Sequence, residues 1–389
     1  MTSGESSSID DPAGRRTVGD FIPADPALIG LAVVSVILVV LGGLIQVRFG
    51  AYNMSFPTVV EAVSNPSVLF DPKLLVSFFL GSGATTTLFG SEASLRALDT
   101  ATTVVWTIRL PRVIVAILVG MNLAISGTIF QAVTQNELAS PFILGVSNGA
   151  GVVILVTLVM FPGLSTFLPL FAALGGAIAF GIVYAIAWKN GTSPVRLVLA
   201  GIIVGTVFQS VQRAMFLFAA DIGTAQSAMQ WMTGSLTGVG WEQVRMAGPW
   251  TLLVVLLVLI GARQLNVLVL GERTAKSLGM SVERVRLGLA GIGVLAAAAS
   301  IAVAGVVSFV GLIVPHLVRT IVGSDHRKLI VGCLFAGPAL MVVADVGARL
   351  GLELLGASGQ QLPVGIVTGL LGGPYFLYLM RKRQKIGEV

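Results

Sequence analysis

The stretch Arg109-Leu110-Pro111-Arg112 opens an apolar run of membrane length, which reaches Gln131 and is followed by Asn136-Glu137-Leu138-Ala139-Ser140-Pro141. Pro111 fixes its own φ, so the chain enters the run at a set angle. Small residues recur along the run at four-residue spacing, at Ala116, Gly120, Ala124 and Thr128. Such a stripe allows a second helix to approach closely inside a membrane. The stretch therefore predicts a closely packed membrane-spanning helix.

The overall composition is that of a protein with many membrane spans. Of the 389 residues, 55% are hydrophobic and 11% are charged, and the mean hydropathy is +0.93. A soluble domain carries about 25% charged residues, whereas one helical span needs about 20 apolar residues. Glycine, which stands at 47 positions, is frequent in membrane helices. We therefore predict an all-α, polytopic membrane protein.

The apolar runs predict ten spanning helices between two polar tails. The spans lie near residues 28–46, 102–133, 142–161, 166–188, 195–219, 241–262, 285–304, 307–323, 329–347 and 363–380. They define a transmembrane domain at 28–383, with a long polar connection at 47–100 and a short helix outside the membrane at 224–236. The polar residues 1–27 predict a disordered cytoplasmic tail, and 384–389 a second cytoplasmic tail.

Basic residues in the connecting segments favour an orientation with both termini in the cytoplasm. With the N-terminus inside, 16 of the 24 basic residues fall in inside segments: Arg15, Arg16, Lys189, Arg196, Arg263, Arg273, Lys276, Arg284, Arg286, Arg319, Arg327, Lys328, Arg381, Lys382, Arg383 and Lys385. Cytoplasmic loops of membrane proteins carry such an excess. The net charge of +6 therefore indicates orientation in the cell membrane, and we expect no nucleic-acid partner.

Short motifs that could indicate catalysis stand in unsuitable contexts. The G-x-S-x-G pattern at 145–149 needs a strand, a turn and a histidine partner to form a nucleophile elbow, but here it opens a membrane span. The Ser358 region resembles the serine motif of rhomboid proteases, yet no histidine follows His326. No P-loop motif occurs, and the lone Cys333 excludes an intrachain disulfide. We expect no catalytic residue, no cofactor and no metal site.

The segment 271–286 predicts two short helices separated at Gly279. Residues 274–278 have adequate helix propensity, and Gly279 can adopt the left-handed backbone that ends a helix. Apolar Leu278 and Met280 stand among basic residues, which is the pattern of an apolar contact with a polar rim. A basic loop that binds anionic lipid would show the same charges.

Four blocks of sequence together resemble the FecCD-type permeases, the membrane subunits of ABC importers for ferric siderophores, haem and cobalamin. The blocks are 109–150, 271–286, 309–327 and 345–376, and they occur in the family's order. The resemblance covers about residues 28–383. Glu137 stands in place of the proline in the family's Asn-Pro-Leu-Ala motif, and Val306 stands where a proline is common. These departures concern local loop geometry.

The resemblance implies a type II ABC importer permease with about ten transmembrane helices and no enzymatic activity of its own. Two such subunits, the same chain twice or a paralogue, would enclose one path. Two copies of an ATP-binding subunit would bind inside, and an extracytoplasmic substrate-binding lipoprotein would bind outside. The implied substrate is a ferric siderophore, with haem or cobalamin as the alternative.

The resemblance also implies roles for individual residues. The residues that dock the binding protein are Arg109, Arg112 and Arg349, although arginines at these positions could instead anchor at lipid headgroups. The cytoplasmic gate comprises Asn136, Leu138, Thr192 and Ser193. A coupling loop at 263–286 contacts the ATPase through Arg273, Ala275, Lys276, Leu278, Gly279, Met280 and Arg284. Close helix packing is expected at Gly120, Ala124, Gly365, Gly369 and Gly373.

Two other classes of protein remain as alternatives. Ion-coupled secondary transporters usually carry acidic side chains inside the membrane. The apolar runs here contain almost none, since Asp221 and Asp345 lie near predicted outer helix ends. This scarcity favours a path that a partner powers. An intramembrane serine protease would need Ser147 or Ser358 as its nucleophile.

Overall fold

The described residues form a bundle of α-helices. The computed structural model describes residues 25–49, 52, 54–91, 98–189, 191–218, 221–354 and 361–386. Helix α1 spans Pro26–Arg48 and begins with Asp25 as its N-cap, whose side chain accepts a hydrogen bond from the Ala27 N–H at 2.9 Å. Most of the predicted tail at 1–27 lies outside the described residues, whereas Pro26 and Ala27 already belong to α1.

The predicted polar connection at 47–100 contains four short helices. They are α2 (Phe56–Val63), α3 (Pro66–Leu69), α4 (Pro72–Leu80) and α5 (Ser82–Phe89). The first three follow Ser, Asn and Asp caps with a proline in the first turn, which is the local signal for a helix start. The Phe78 ring stacks on the rings of Trp106 and Trp241, with centroids 5.7 and 5.2 Å away. Aromatic packing thus fixes this segment to two spanning helices.

The predicted second span is one continuous helix with a widened turn. It comprises α6 (Thr100–Val104), a single π-helical turn at Val105–Arg109 and α7 (Leu110–Val133). Pro111 has no N–H to donate, and its ring would clash with the carbonyl one turn earlier. The widened turn directly before Pro111 accommodates both effects. Pro111 therefore lies inside a helix and does not begin one.

The described residues after α7 form ten further helices. They are α8 (Val146–Met160), α9 (Leu168–Ala187), α10 (Pro194–Phe216), α11 (Ile222–Thr233), α12 (Trp241–Val269), α13 (Glu272–Ser277), α14 (Val282–Ala304), α15 (Val310–Val322), α16 (His326–Leu354) and α17 (Val364–Ile386). A 3₁₀ turn at Pro162–Phe167 precedes α9. Among the described residues, seven helices are long and apolar enough to cross a membrane, and three shorter apolar ones match the remaining predicted spans.

Predicted boundaries differ from the observed ones where local backbone geometry intervenes. Helix α8 begins at Val146, four residues after the predicted start, because a turn ends at Gly145 with a φ of +81°. Helix α17 continues to Ile386, so the predicted tail at 384–389 begins as helix. The short helix predicted at 224–236 is α11, which ends at Thr233 because Gly234 has a φ of +73°.

Glycines bring the backbone of α7 against two neighbours. A Cβ atom on Gly127 would lie 1.8 Å from the Gly311 carbonyl oxygen of α15, and one on Gly120 would lie 2.4 Å from the Gly337 oxygen of α16. The side chain of Ala124 is fully buried beside this second contact. Small residues thus allow α7 to lie directly against the backbones of α15 and α16.

The predicted glycine stripe of α17 packs within the chain at one position only. A Cβ atom on Gly365 would lie 1.7 Å from the Thr233 carbonyl oxygen, whereas Gly369 and Gly373 face open space in the described structure. Gly372 makes the second close approach instead, at 2.3 Å from the Phe309 ring. The rotation of α17 turns Gly372 inward, and a role of Gly369 and Gly373 in helix packing stays a prediction.

We predict that Gly127→Ala destabilises the protein. The added methyl group has no room against Gly311, so α7 and α15 must separate, at a cost of about 1–3 kcal/mol. The measurement is the thermal unfolding midpoint of the purified protein in detergent. Gly288→Ala is the matched control, because that glycine of α14 faces open space and Ala favours helix. Equal midpoints for the two variants would contradict the packing assignment.

Candidate functional site

Two of the predicted docking arginines bind the end of α1. Arg109 donates to the carbonyl oxygens of Val47 and Tyr52, and to that of Arg48 at 3.2 Å. Arg349 donates to the carbonyls of Gln46 and Phe49. The last carbonyls of a helix have no partner inside it and carry partial negative charge. Both guanidinium groups therefore cap α1.

The third docking arginine forms a buried ion pair. The Nε and Nη2 atoms of Arg112 donate to the two carboxylate oxygens of Asp345 at 2.8 and 2.7 Å, and Nη1 donates to the Gln361 side chain at 2.8 Å. The Asp345 side chain is fully buried. This bidentate geometry is the strong form of an arginine–carboxylate pair, and it joins α7 to α16.

Burial changes how these arginines can meet a partner. Arg109 is 4% exposed and Arg112 is 5% exposed, whereas Arg349 is half-buried. Their hydrogen bonds lie within the chain and stabilise the junction of α1, α7 and α16. Direct contact of Arg109 or Arg112 with a docking protein would require these bonds to open, so docking by these residues stays a prediction.

The first predicted gate loop follows α7 and has a fixed local geometry. Gln135 adopts a φ of +47°, and the Asn136 side chain accepts the Leu138 N–H at 2.9 Å in a turn of its own. Glu137 lies 3.5 Å from the Arg319 guanidinium and 3.9 Å from the His316 ring, both on α15. Leu138 is exposed, as a gate residue that meets a second subunit would be.

The second predicted gate loop lies between α9 and α10. Thr192 is buried, and its N–H and hydroxyl donate to the Glu283 carboxylate at 2.9 and 2.8 Å. Ser193 is half-buried at the start of α10. Among the described residues, no hydrogen bond joins this loop to Asn136 or Leu138. The structure instead brings Thr192 to the predicted coupling loop, a contact that sequence spacing did not indicate.

The coupling loop has the predicted helix stop. Helix α13 ends where the Gly279 N–H bonds to the Lys276 carbonyl at 2.9 Å and the Met280 N–H bonds to the Ala275 carbonyl at 3.0 Å. Gly279 has a φ of +79°, which completes a Schellman motif. Leu278 is 63% exposed, and Arg273, Lys276 and Arg284 are exposed around it. Ala275 is fully buried in the chain, so its side chain anchors α13 and is left out of the surface that a partner could contact.

Helix α10 carries a polar stripe that sequence reasoning missed. Thr206, Ser210 and Arg213 are exposed and Gln209 is half-buried, on a helix whose other polar side chains are those of Arg196 and Gln212. Their spacing of three and four residues places them on one face, and this spacing was a usable sequence signal. The hydroxyls of Thr206 and Ser210 donate to carbonyls of their own helix at 2.8 and 3.0 Å, so the amide of Gln209 and the charge of Arg213 are the groups that favour water or a protein partner over lipid on this face.

The histidines are engaged elsewhere. The His316 ring meets the Tyr375 ring edge-on with centroids 6.3 Å apart, and His326 bonds to the Asn266 side chain at 2.9 Å. In the part of the chain that the structure describes, no group of three His, Cys, Asp or Glu side chains could hold a metal ion.

The described residues thus form seven apolar helices of membrane-spanning length and three shorter apolar ones, which is the architecture of a membrane-embedded protein. The chain belongs to the FecCD transport family, whose model matches residues 36–382. Members of this family are transport subunits of ABC importers, which work with an ATPase and a substrate-binding protein.

Several named proteins are similar to this chain in sequence over most of their length. The iron(3+)-hydroxamate import system permease protein FhuG of Bacillus subtilis is 38% identical over 72% of this chain and 84% of its own. The cobalamin import system permease protein BtuC of Halobacterium salinarum is 41% identical over 74% of this chain and 75% of its own. The hemin transport system permease protein HmuU of Yersinia pestis is 36% identical over 80% of this chain and 94% of its own.

A solved structure shows the same fold. It is described as an inward-facing conformation of a metal-chelate type ABC transporter, and it matches with a TM-score of 0.71 and 27% identity. The match covers 91% of this chain and 98% of that chain.

We predict that Asp345→Asn lowers the stability of the permease by about 3 kcal/mol, because it leaves the buried Arg112 charge without its carboxylate. The measurement is thermal unfolding of the purified permease without its partners. Lys276→Gln is the control, since it removes an exposed ion pair with Glu272 and should change stability little. A midpoint for Asp345→Asn close to that of the control would show that the pair has no structural role.

Proposed function

We propose that this chain forms the path of an importer for ferric siderophores, with both termini in the cytoplasm. Relatives named for hydroxamate-bound iron, for iron citrate and for achromobactin transport support an iron chelate as the substrate. Relatives named for cobalamin and hemin are similar to the same degree. Haem or cobalamin is therefore the alternative substrate.

The observation that carries the proposal is the polar stripe of α10. Thr206, Gln209, Ser210 and Arg213 would face a water-filled path if two permease subunits, identical or paralogous, place their α10 helices opposite each other. A siderophore already fills the coordination sphere of its iron, so its path needs hydrogen-bonding groups and no metal ligands. The stripe provides hydroxyl, amide and guanidinium groups for hydrogen bonding. The two histidines of the sequence, which could bind a metal ion, lie on other helices.

The outer end would receive the binding protein over the arginine cluster. Arg109, Arg112 and Arg349 carry three positive charges against the one negative charge of Asp345, which leaves a surplus of two positive charges. A positive surplus attracts acidic side chains and speeds association even where the guanidinium groups are held by the chain. This supports docking by the cluster as a whole.

The inner end would be opened by two ATPase subunits. We assign the ATPase contact to Leu278, Gly279 and Met280, with Arg273, Lys276 and Arg284 around them. The short helix α13 and its Schellman stop make this contact stiff. Asn136, Leu138, Thr192 and Ser193 would then close the path on the cytoplasmic side.

We predict that the permease, reconstituted in vesicles with its ATPase and binding protein, takes up a ferric hydroxamate in the presence of ATP. Uptake into vesicles is measured for ferric hydroxamate, ferric citrate, haem and cobalamin in parallel, with an uncoupler present. Omission of ATP or of the binding protein is the control. Uptake of haem or cobalamin alone would favour the alternative substrate, and loss of uptake with the uncoupler would indicate a secondary transporter.

We predict that Gly279→Trp uncouples ATP hydrolysis from uptake or detaches the ATPase. The large side chain would stand on the proposed contact surface, where the structure has open space around Gly279. The measurements are ATPase co-purification and substrate transported per ATP hydrolysed. Gly323→Trp is the matched control, because Gly323 also has a left-handed φ, +83°, and open space, but it ends α15 outside the coupling loop. Normal coupling in Gly279→Trp, with the ATPase bound, would reject the assignment.

A further inference from the structure

Arg286, in the first turns of α14, is a buried cation that the transport path does not use. It is 1% exposed. Its Nη1 atom donates to the carbonyl oxygen of Thr192, to the Thr192 hydroxyl at 3.0 Å and to the Glu283 carboxylate at 2.8 Å. A buried charge is tolerated only where such partners hold it. Arg286 therefore keeps Thr192 and Glu283 in one arrangement.

Glu283, also in the first turn of α14, binds the same loop between α9 and α10 through Thr192. Its carboxylate accepts the Thr192 N–H and hydroxyl, and it accepts the Tyr184 hydroxyl at 3.3 Å. The remaining polar bonds of the loop are local, such as the bond from the Arg196 guanidinium to the Gly191 carbonyl at 2.8 Å. Bonds with an ionised partner are about twice as strong as neutral ones. The main polar connection of this loop to another part of the chain is therefore to the start of α14.

The network also reaches the coupling helix. The second guanidinium nitrogen of Arg286 lies 3.7 Å from the Glu272 carboxylate, in the first residue of α13. Glu272 in turn pairs with Lys276 at 2.7 Å, and this hydrogen bond lowers the pKa of Glu272. Glu272 thus stays ionised near neutral pH and attracts Arg286. One guanidinium group is shared between the coupling helix and the loop that carries Thr192.

A neutral hydrogen bond joins the first predicted gate loop, which follows α7, to the end of α12, where the coupling loop begins. The Gln135 side chain donates to the Leu268 carbonyl, near the end of α12, at 3.1 Å. The last turn of α12 and the first turns of α14, which flank α13, are therefore each bonded to one of the two predicted gate loops.

We propose that Thr192, Glu283 and Arg286 form the link that transmits movement of the coupling helix to the cytoplasmic gate. The inference rests on the proposed function of the coupling loop and deepens it. Glu283 and Arg286 are positioning residues, since they act on the gate through Thr192. When the ATPase displaces α13, the network obliges the loop with Thr192 and Ser193 to follow, because separation would break the bonds of the buried Arg286 guanidinium to the Thr192 carbonyl and hydroxyl and those of Thr192 to the Glu283 carboxylate.

The test measures substrate transported per ATP hydrolysed by the full complex in vesicles. Thr192→Val and Glu283→Gln each remove a charge-assisted bond, and we expect each to lower this ratio about tenfold, while ATP hydrolysis and ATPase co-purification persist. Thr192→Ser retains the hydroxyl and should restore most of the ratio. The double variant should lose little more than either single one, because both changes break the same link.

A second readout follows the gate directly. Cysteine in place of Ser193 should form a crosslink across the two permease subunits in one nucleotide state only, and Glu283→Gln should abolish this dependence on nucleotide. The native Cys333 is buried and leaves the background low. Arg327→Gln is the control, because it removes an exposed basic side chain at the start of α16, outside both the coupling loop and the network.

The outcomes separate this inference from the proposed function. If Gly279→Trp uncouples transport but Thr192→Val and Glu283→Gln keep the wild-type ratio, the link is overturned and the coupling loop stands. If Gly279→Trp couples normally, the coupling loop itself is rejected. A loss in Thr192→Ser equal to that in Thr192→Val would also overturn the link, since the hydroxyl would then have no part.

Discussion

Direct backbone contact between α7 and its neighbours is the constraint on which the rest of the structure depends. Gly127 meets Gly311 of α15, and Gly120 meets Gly337 of α16, with no side chain between the helices. Between helices in lipid, close approach supplies the attraction that the hydrophobic effect supplies in water. Because α7 is held at these points, the positions of both its ends are set, and so are those of Arg109 and Arg112 at one end and of the loop with Asn136 at the other.

Charged side chains form hydrogen bonds at both ends of the bundle. At one end they connect helices to one another, and at the other end they connect a helix to a loop. At one end Arg109 and Arg349 cap the carbonyls of α1, and Arg112 pairs with Asp345. These bonds connect spanning helices to one another and make a rigid junction. At the other end Arg286 and Glu283 connect the start of α14 to a loop. A loop can shift as a unit while its bonds persist, which suits the cytoplasmic gate that we propose at this end.

The departure from the family motif at Glu137 shows how one constraint can replace another. A proline would restrict the backbone of this loop directly. In this chain the restriction comes from side chains: the Asn136 turn, the contacts of Glu137 with Arg319 and His316, and the bond from Gln135 to the Leu268 carbonyl. The loop is thus fixed by tertiary contacts with α12 and α15 where a relative could rely on its own backbone.

The sequence by itself determined the all-helical membrane architecture, the apolar spans, the packing stripe through Gly120 and Ala124, and the helix stop at Gly279. These features follow from local apolarity, helical periodicity and backbone preference, so neighbouring residues suffice to predict them.

Only the tertiary structure decided that Arg112 pairs with Asp345, 233 residues away, and that Thr192 is held by Glu283, 91 residues away. It also decided that Gly372 of α17, and not Gly369 or Gly373, faces the chain. Such pairings depend on how each helix is rotated and shifted against its neighbours, and the packing of the whole bundle sets that rotation, which no single stretch of sequence encodes.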